Sequence, residues 1–190
     1  MFVWNPSAQA KVSVTLSGGL NACLDDDPGD CSRIENSGVG GLGIFYKLLP
    51  KLDVGMDLRF GALTPRKDAA NVEQSIGTFY VMPTAVWTEA IHEHVRVEGR
   101  LGFGYGSQTH RFKSVTGADT AKNWVSWSTI DLGVALSMEV MKQLEAGLGM
   151  DLYLQDGGTM CTKTTGSTCK DHEDPVPELL NLFLFARYRL

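Results

Sequence analysis

Between Leu180 and Leu190 every second residue belongs to one apolar series: Leu180, Leu182, Leu184, Ala186, Tyr188 and Leu190. Asn181, Phe183, Phe185, Arg187 and Arg189 fill the positions between. Side chains alternate across an extended strand with period two, so the first set shares one face and the second the other. The same design is clearest from Leu52 to Ala62. There Leu52, Val54, Met56, Leu58, Phe60 and Ala62 oppose Asp53, Gly55, Asp57, Arg59 and Gly61. On a helix, charges at every second position would circle the axis completely. The chain is therefore committed to strands with one apolar face and one face of charge and glycine.

Six further segments carry this pattern. They begin near Val12, Val39, Ile76, Val95, Thr129 and Leu144, which makes eight strands in all. In the one from Ile76 to Thr88 the alternation blurs, and Phe79, Val81, Ala85 and Trp87 are assigned to its apolar face. The connections alternate in length. Those at 50–51, 89–94 and 141–143 are short, whereas 24–36, 64–75, 114–123 and 156–177 are long. A chain of 190 residues suits one domain. The longest uncharged run, Gln74 to Thr88, is too short for a membrane helix and contains Pro83. A net charge of -5 leaves no basic footprint for nucleic acid.

Alternation alone does not say which face is outside. A soluble lipocalin-like barrel would turn the apolar face inward and leave the charges in water. The glycines weigh against that, and the soluble ligand-binding barrel stays as the alternative. Gly19, Gly41, Gly43, Gly55, Gly61, Gly102, Gly104, Gly106, Gly133, Gly147 and Gly149 share the charged face, against Gly18, Gly40 and Gly99 on the apolar one. Glycine on a solvated strand surface weakens it and packs against nothing. Inside a narrow barrel it makes room for long charged neighbours.

The charged face is also balanced in sign. Asp53, Asp57, Glu98, Asp131, Glu139, Glu145 and Asp151 meet Lys11, Lys47, Arg59, Arg96, Arg100, Arg187 and Arg189. Enclosure demands such balance, since a lone buried charge is costly. On the apolar face, Tyr46, Trp87 and Tyr188 lie toward the short turns, and Phe60, Phe103, Tyr105 and Trp124 toward the long loops. Two such levels fit the two interfaces of a bilayer.

From Lys11 to Leu190 the chain thus resembles the small eight-stranded bacterial outer-membrane β-barrels, of the kind of the OmpA transmembrane domain and OmpX. The resemblance implies an all-β, eight-stranded antiparallel up-and-down transmembrane barrel in the Gram-negative cell envelope. It implies short periplasmic turns, long outer loops and both termini in the periplasm. Its partners would be outer-membrane lipid and lipopolysaccharide, with an extracellular partner at the outer loops; the expected state is a monomer without cofactor. The expected function is adhesion, surface protection, partner recognition or membrane integrity. An OmpW-like conduit for small apolar molecules is the transport alternative, against which the inward charges count. Residues 1–10 read either as a short tail or as the remnant of a signal peptide, with Ala8-Gln9-Ala10 in the form of a cleavage site.

Four cysteines permit three pairings. Cys23 with Cys31 and Cys161 with Cys169 each close a short span of one long loop, so two local disulfides are expected, formed in an oxidising compartment. No Cys-x-x-Cys supports zinc. Asp25-Asp26-Asp27-Pro28-Gly29-Asp30 lacks the spacing of a calcium loop, and His92-Glu93-His94 reads as a surface turn. Some small barrels modify lipid A with Ser and His near the outer rim, which draws attention to His110, Ser126 and Ser128. By parity the serines face lipid and His110 does not, so no catalytic pair is expected and the chain is not read as an enzyme.

Overall fold

A strand that leaves its N–H and C=O groups unpaired is not viable in hydrocarbon, and closure into a barrel removes every edge. The chain takes that solution. The computed structural model describes residues 12–24, 34–35, 37–65, 73–113, 119–163, 167–171 and 178–190. Among them are β1 (Val12–Cys23), β2 (Ile34–Glu35), β3 (Ser37–Leu49), β4 (Leu52–Pro65) and β5 (Glu73–Ala90). Next come β6 (Val95–Lys113), β7 (Asp119–Met141), β8 (Leu144–Lys163), β9 (Ser167–Asp171) and β10 (Leu179–Arg189). Eight of these close an antiparallel barrel in the order β10-β1-β3-β4-β5-β6-β7-β8, with β8 returning to β10. The two short ones, β2 on β4 and β9 on β8, extend the wall at the long-loop end.

The circuit is staggered. Paired residues lead from Ser13 through Phe45, Gly55, Thr84, Gly102, Asp131, Tyr153 and Leu179 back to β1 at Cys23. Such a displacement tilts the strands and sets the bore. Strands β6 to β8 are longer than their sequence pattern suggests. Pairing runs on to Lys113 with Asp119 and to Lys122 with Lys163, inside stretches expected to be loop. Backbone pairing alone carries these ends, and no alternation of apolar residues marks them in the sequence.

The apolar face is outside. Leu16, Ile44, Phe103, Leu132, Leu148 and Leu184 are all exposed, Phe103 by 63% and Leu184 by 68%. An apolar surface that encircles the whole molecule far exceeds the patches soluble monomers tolerate. The soluble lipocalin-like alternative is thereby excluded. Tyr46, Trp87 and Tyr188 are exposed near the short turns, and Phe60, Phe79, Phe103 and Tyr105 nearer the long loops. The blurred strand resolves as assigned: Phe79 and Trp87 are exposed, while Ile76, Thr78, Tyr80, Met82, Thr84 and Val86 are buried.

Glycines on the inner face stand under large side chains. A Cβ at Gly149 would lie 2.7 Å from the Phe183 ring, and one at Gly147 would lie 2.5 Å from that of Phe185. At Gly18 and Gly99, on the outer face, it would meet nothing. Gly157 has φ 62°. Here β8 places two residues opposite Trp127, between the Ser126–Thr159 and Ser128–Asp156 pairs. This bulge reverses the facing of β8: Tyr153 is luminal below it, and above it Met160 packs against the luminal cluster.

Candidate functional site

The site most fully built by the fold is the lumen itself, which three tiers of side chains occupy. Nearest the short turns, Arg187 on β10 forks onto Glu98 on β6, with Nη1 donating to Oε1 at 2.7 Å and Nη2 to Oε2 at 2.8 Å. Its Nε donates to Thr15 Oγ1 at 3.2 Å, and the guanidinium lies 5.2 Å from the Phe185 ring centroid. Ser137 donates to Glu98 at 3.0 Å. Glu145 collects Arg189 at 2.9 Å and Arg96, which also donates to Glu139 at 3.2 Å. Arg96, Glu139 and Arg189 are half-buried and form the outlying part of this network. Asp53, buried, is paired in register with Lys47.

The middle tier is drier. Arg59 on β4 joins Asp57 at 2.9 Å and Asp151 on β8 at 3.1 Å, and donates to Ser17 Oγ at 2.9 Å. In the strand order β4 and β8 are four apart whichever way the barrel is followed, so Arg59–Asp151 spans the full bore. Arg100 on β6 also reaches Asp57, at 2.5 Å, and approaches Asp151 at 3.5 Å. Both guanidiniums sit over the Phe183 ring, at 4.8 and 5.3 Å from its centroid. Asp131 is fully buried beside them and accepts no hydrogen bond from the protein.

The third tier, toward the long loops, is apolar and aromatic. Tyr80, Met82, Val125, Trp127, Tyr153 and Leu179 form one buried cluster. The Tyr80 ring centroid lies 5.0 Å from that of Tyr153 and 6.4 Å from that of Trp127. Asn181 donates to the Tyr153 hydroxyl at 3.2 Å, and Gln155 to that of Tyr80 at 3.3 Å.

Of the fourteen charged residues read onto the charged face, Asp53, Asp57, Arg59, Glu98, Arg100, Asp131, Glu145, Asp151 and Arg187 are buried, Lys47, Arg96, Glu139 and Arg189 are half-buried, and Lys11 falls outside the described residues. What sequence reasoning missed is the aromatic tier. Its signal was the blurred alternation of β5, where Tyr80 and Met82 face an apolar stretch of lumen while Phe79 and Val81 face outward, so the two faces lose contrast.

Other candidates do not assemble. Ser126 and Ser128 alternate with the buried Val125, Trp127 and Thr129, so they stand on the outer face. In register His110 pairs with Asn123, and its side chain lies outside the described residues. His92, Glu93 and His94 are exposed in the turn between β5 and β6, and among the described residues no group of three potential ligands could hold a metal. Cys161 and Cys169 are directly paired across β8 and β9 and joined by a disulfide. Cys23 is disulfide-bonded as well; its expected partner Cys31, the Asp25–Asp30 loop and residues 1–10 fall outside the described residues.

A closed eight-stranded antiparallel barrel with an apolar exterior and a charge-filled interior is the fold of the small bacterial outer-membrane β-barrels. Among solved structures it is similar to a major outer membrane protein from Thermus thermophilus, with TM-score 0.66 and 18% identity over 95% of this chain and 99% of that one. It is also similar to Neisserial surface protein A, with TM-score 0.57 and 10% identity over 95% and 97%. A third is Ail, the attachment invasion locus protein of Yersinia pestis, with TM-score 0.52 and 15% identity over 96% and 99%. Identities this low speak for the fold alone. No protein-family model matches the chain, and no curated protein matches it in sequence.

Proposed function

We propose that this chain resides in a bacterial outer membrane as a monomeric barrel with a sealed interior, and that it acts through its outer surface in adhesion, surface protection or partner recognition, or in membrane integrity. The short turns and both termini face the periplasm; β9 and the outer parts of β6 to β8 face the exterior. The observation that carries this reading is the Arg59–Asp151 bridge across the bore, with the Arg187–Glu98 fork on one side and the aromatic tier on the other. A lumen blocked at three levels does not suit transport, and serines on the lipid-facing side do not suit acyl chemistry. That leaves the part of the wall that stands clear of the membrane. Attachment is part of the printed name of Ail, which is also known in complex with the heparin analogue sucrose octasulfate. An extracellular partner of this chain would meet the same end of the barrel.

The test has two arms. Purified protein in planar bilayers should show no resolved conductance; a steady ohmic pore would overturn the sealed interior. In intact Gram-negative cells, single-cysteine variants at Lys170 and Lys142 (both exposed) would be treated with a membrane-impermeant maleimide. Position 170 should label and position 142 should not. The reverse pattern would invert the orientation.

A further inference from the structure

In the tier of the lumen nearest the short turns the charges balance: Glu98, Glu139 and Glu145 meet Arg96, Arg187 and Arg189. The middle tier does not balance. Asp57, Asp131 and Asp151 stand against Arg59 and Arg100, and all five are buried. Asp57 and Asp151 take up both guanidiniums between them. Asp131 is left over, fully buried, and among the described residues neither of its oxygens has a hydrogen-bond partner. An ionised carboxylate is not tolerated in such an enclosure without a compensating charge. The tier calls for one further positive charge.

The surroundings of Asp131 say what can supply it. Its cross-strand neighbours are Gly102 on β6 and Tyr153 on β8. A Cβ at Gly102 would lie 3.1 Å from Thr84 Oγ1 and 3.4 Å from Asp131 Oδ2, so both oxygens border the space over that glycine. Thr84 donates its hydrogen to the Met82 carbonyl at 3.0 Å, which leaves Oγ1 there as an acceptor. Asp151 leans over Gly133, two residues along the same face of β7, and its Oδ1 also lacks a hydrogen bond. Arg100 Nε stands 3.5 Å from that oxygen without bonding it. Oxygen acceptors gathered in this way are the ligands of hard cations. Neither Asp131 oxygen exposes as much as 1 Å², so the space suits an ion smaller than a water molecule. One charge suffices, and among the described residues no three carboxylate, imidazole or thiol groups gather as a divalent metal would need.

We propose that Asp131, Thr84 and Asp151 form an internal site for one small monovalent cation, of sodium's size, taken up as the barrel closes. Asp131 supplies the charge that holds the ion, Thr84 Oγ1 fixes it over Gly102, and Asp151 offers the oxygen that the arginines leave unbonded. Bound there, the ion brings the middle tier to three charges of each sign, as a third arginine does in the tier below. Gly102 belongs to the site as well, because a side chain on it would fill the ion's place.

The test is urea unfolding of the full chain in zwitterionic vesicles at pH 7, with sodium, potassium or choline chloride at constant ionic strength. A heat-shifted gel band verifies folding in each variant. Only the folded state has the site, so the folding equilibrium constant of wild type should rise by up to about tenfold for each tenfold rise in sodium, and stay level in choline. Potassium, no smaller than water, should act weakly. Asp131→Asn should abolish the sodium response and unfold in choline at no lower midpoint than wild type, since its amide needs no counter-ion. Glu98→Gln, in the balanced tier, should lower the midpoint and keep the response. Equal wild-type midpoints in sodium and choline would overturn the site. So would a sodium response that persists in Asp131→Asn, or an Asp131→Asn midpoint in choline lowered as far as that of Glu98→Gln. A sodium-blind wild type whose midpoint falls with rising pH, where that of Asp131→Asn does not, would overturn the ion in favour of a hydron.

Discussion

Replacing Arg187 by methionine tests whether the lumen is as dry as its packing implies. Arg187 and Glu98 are about 1% and 0% exposed, and their two hydrogen bonds are 2.7 and 2.8 Å long. With the guanidinium gone, Glu98 keeps only the hydroxyl of Ser137, at 3.0 Å, as a hydrogen-bond donor. Glu145 is better placed, because Arg96 and Arg189 still hold it. The loss therefore falls almost wholly on one enclosed carboxylate. Stranding such a charge costs about 3–5 kcal/mol, and the orphaned Thr15 hydroxyl adds about 1 kcal/mol. Removing both charges, as Arg187→Met/Glu98→Leu, should recover most of that loss, since an apolar pair leaves nothing to solvate. Urea unfolding in lipid vesicles, followed by tryptophan fluorescence with Trp127 inside the barrel, reads the difference as a shift in midpoint at constant slope. A cost below about 1 kcal/mol for Arg187→Met would mean that water reaches Glu98. A double variant worse than the single one would refute the pairing argument itself.

Three other outcomes follow from the same geometry. Leu132→Arg, at an outer position 43% exposed, should cost about 2–4 kcal/mol by placing a charge in hydrocarbon. A fluorophore at position 132 should be quenched by lipid-borne quenchers, and one at Asp131 should not; the opposite result would turn the barrel inside out. Gly149→Leu would drive a side chain into the Phe183 ring and should abolish the heat-shifted folded band, whereas Gly99→Leu, facing outward into open space, should keep it. Reducing Cys161–Cys169 should leave the barrel's unfolding midpoint unchanged and raise protease cleavage near β9, because the bond joins β8 to a strand outside the closed circuit. A collapsed midpoint would contradict that.

The sequence shows the barrel most clearly where its two sides differ most. In β4, leucines in lipid alternate with Asp53, Asp57 and Arg59 in the lumen, and both strand and facing are legible from the pattern alone. The glycines told the inner face from the outer because Gly147 and Gly149 lie where phenylalanines fill the bore. Legibility fails where the surroundings of the two faces converge. On β5 the lumen is as apolar as the lipid, and the outer ends of β6, β7 and β8 are held by backbone pairing with no apolar alternation in the sequence. The Gly157 bulge was hidden for another reason: a left-handed residue inside a strand leaves no periodic trace, yet it moves Met160 into the lumen. Which charge joins which was not legible either. Arg59 finds Asp151 across the bore through the stagger of the strands, which no single segment records.

The seam between β1 and β10 has a consequence for how such a molecule comes into being. The Leu190 amide donates to the Val12 carbonyl at 2.8 Å, so the two ends of the described chain are hydrogen-bonded neighbours. Until the last strand arrives, the growing sheet has two raw borders, and in hydrocarbon each unpaired peptide group on them costs several kcal/mol. An unfinished sheet therefore has no resting place in the bilayer. Insertion and closure have to coincide, or another protein has to lend a temporary strand to the open border. By the same logic, a chain cut before Leu179 would yield no seven-stranded remnant, only material that never enters the membrane.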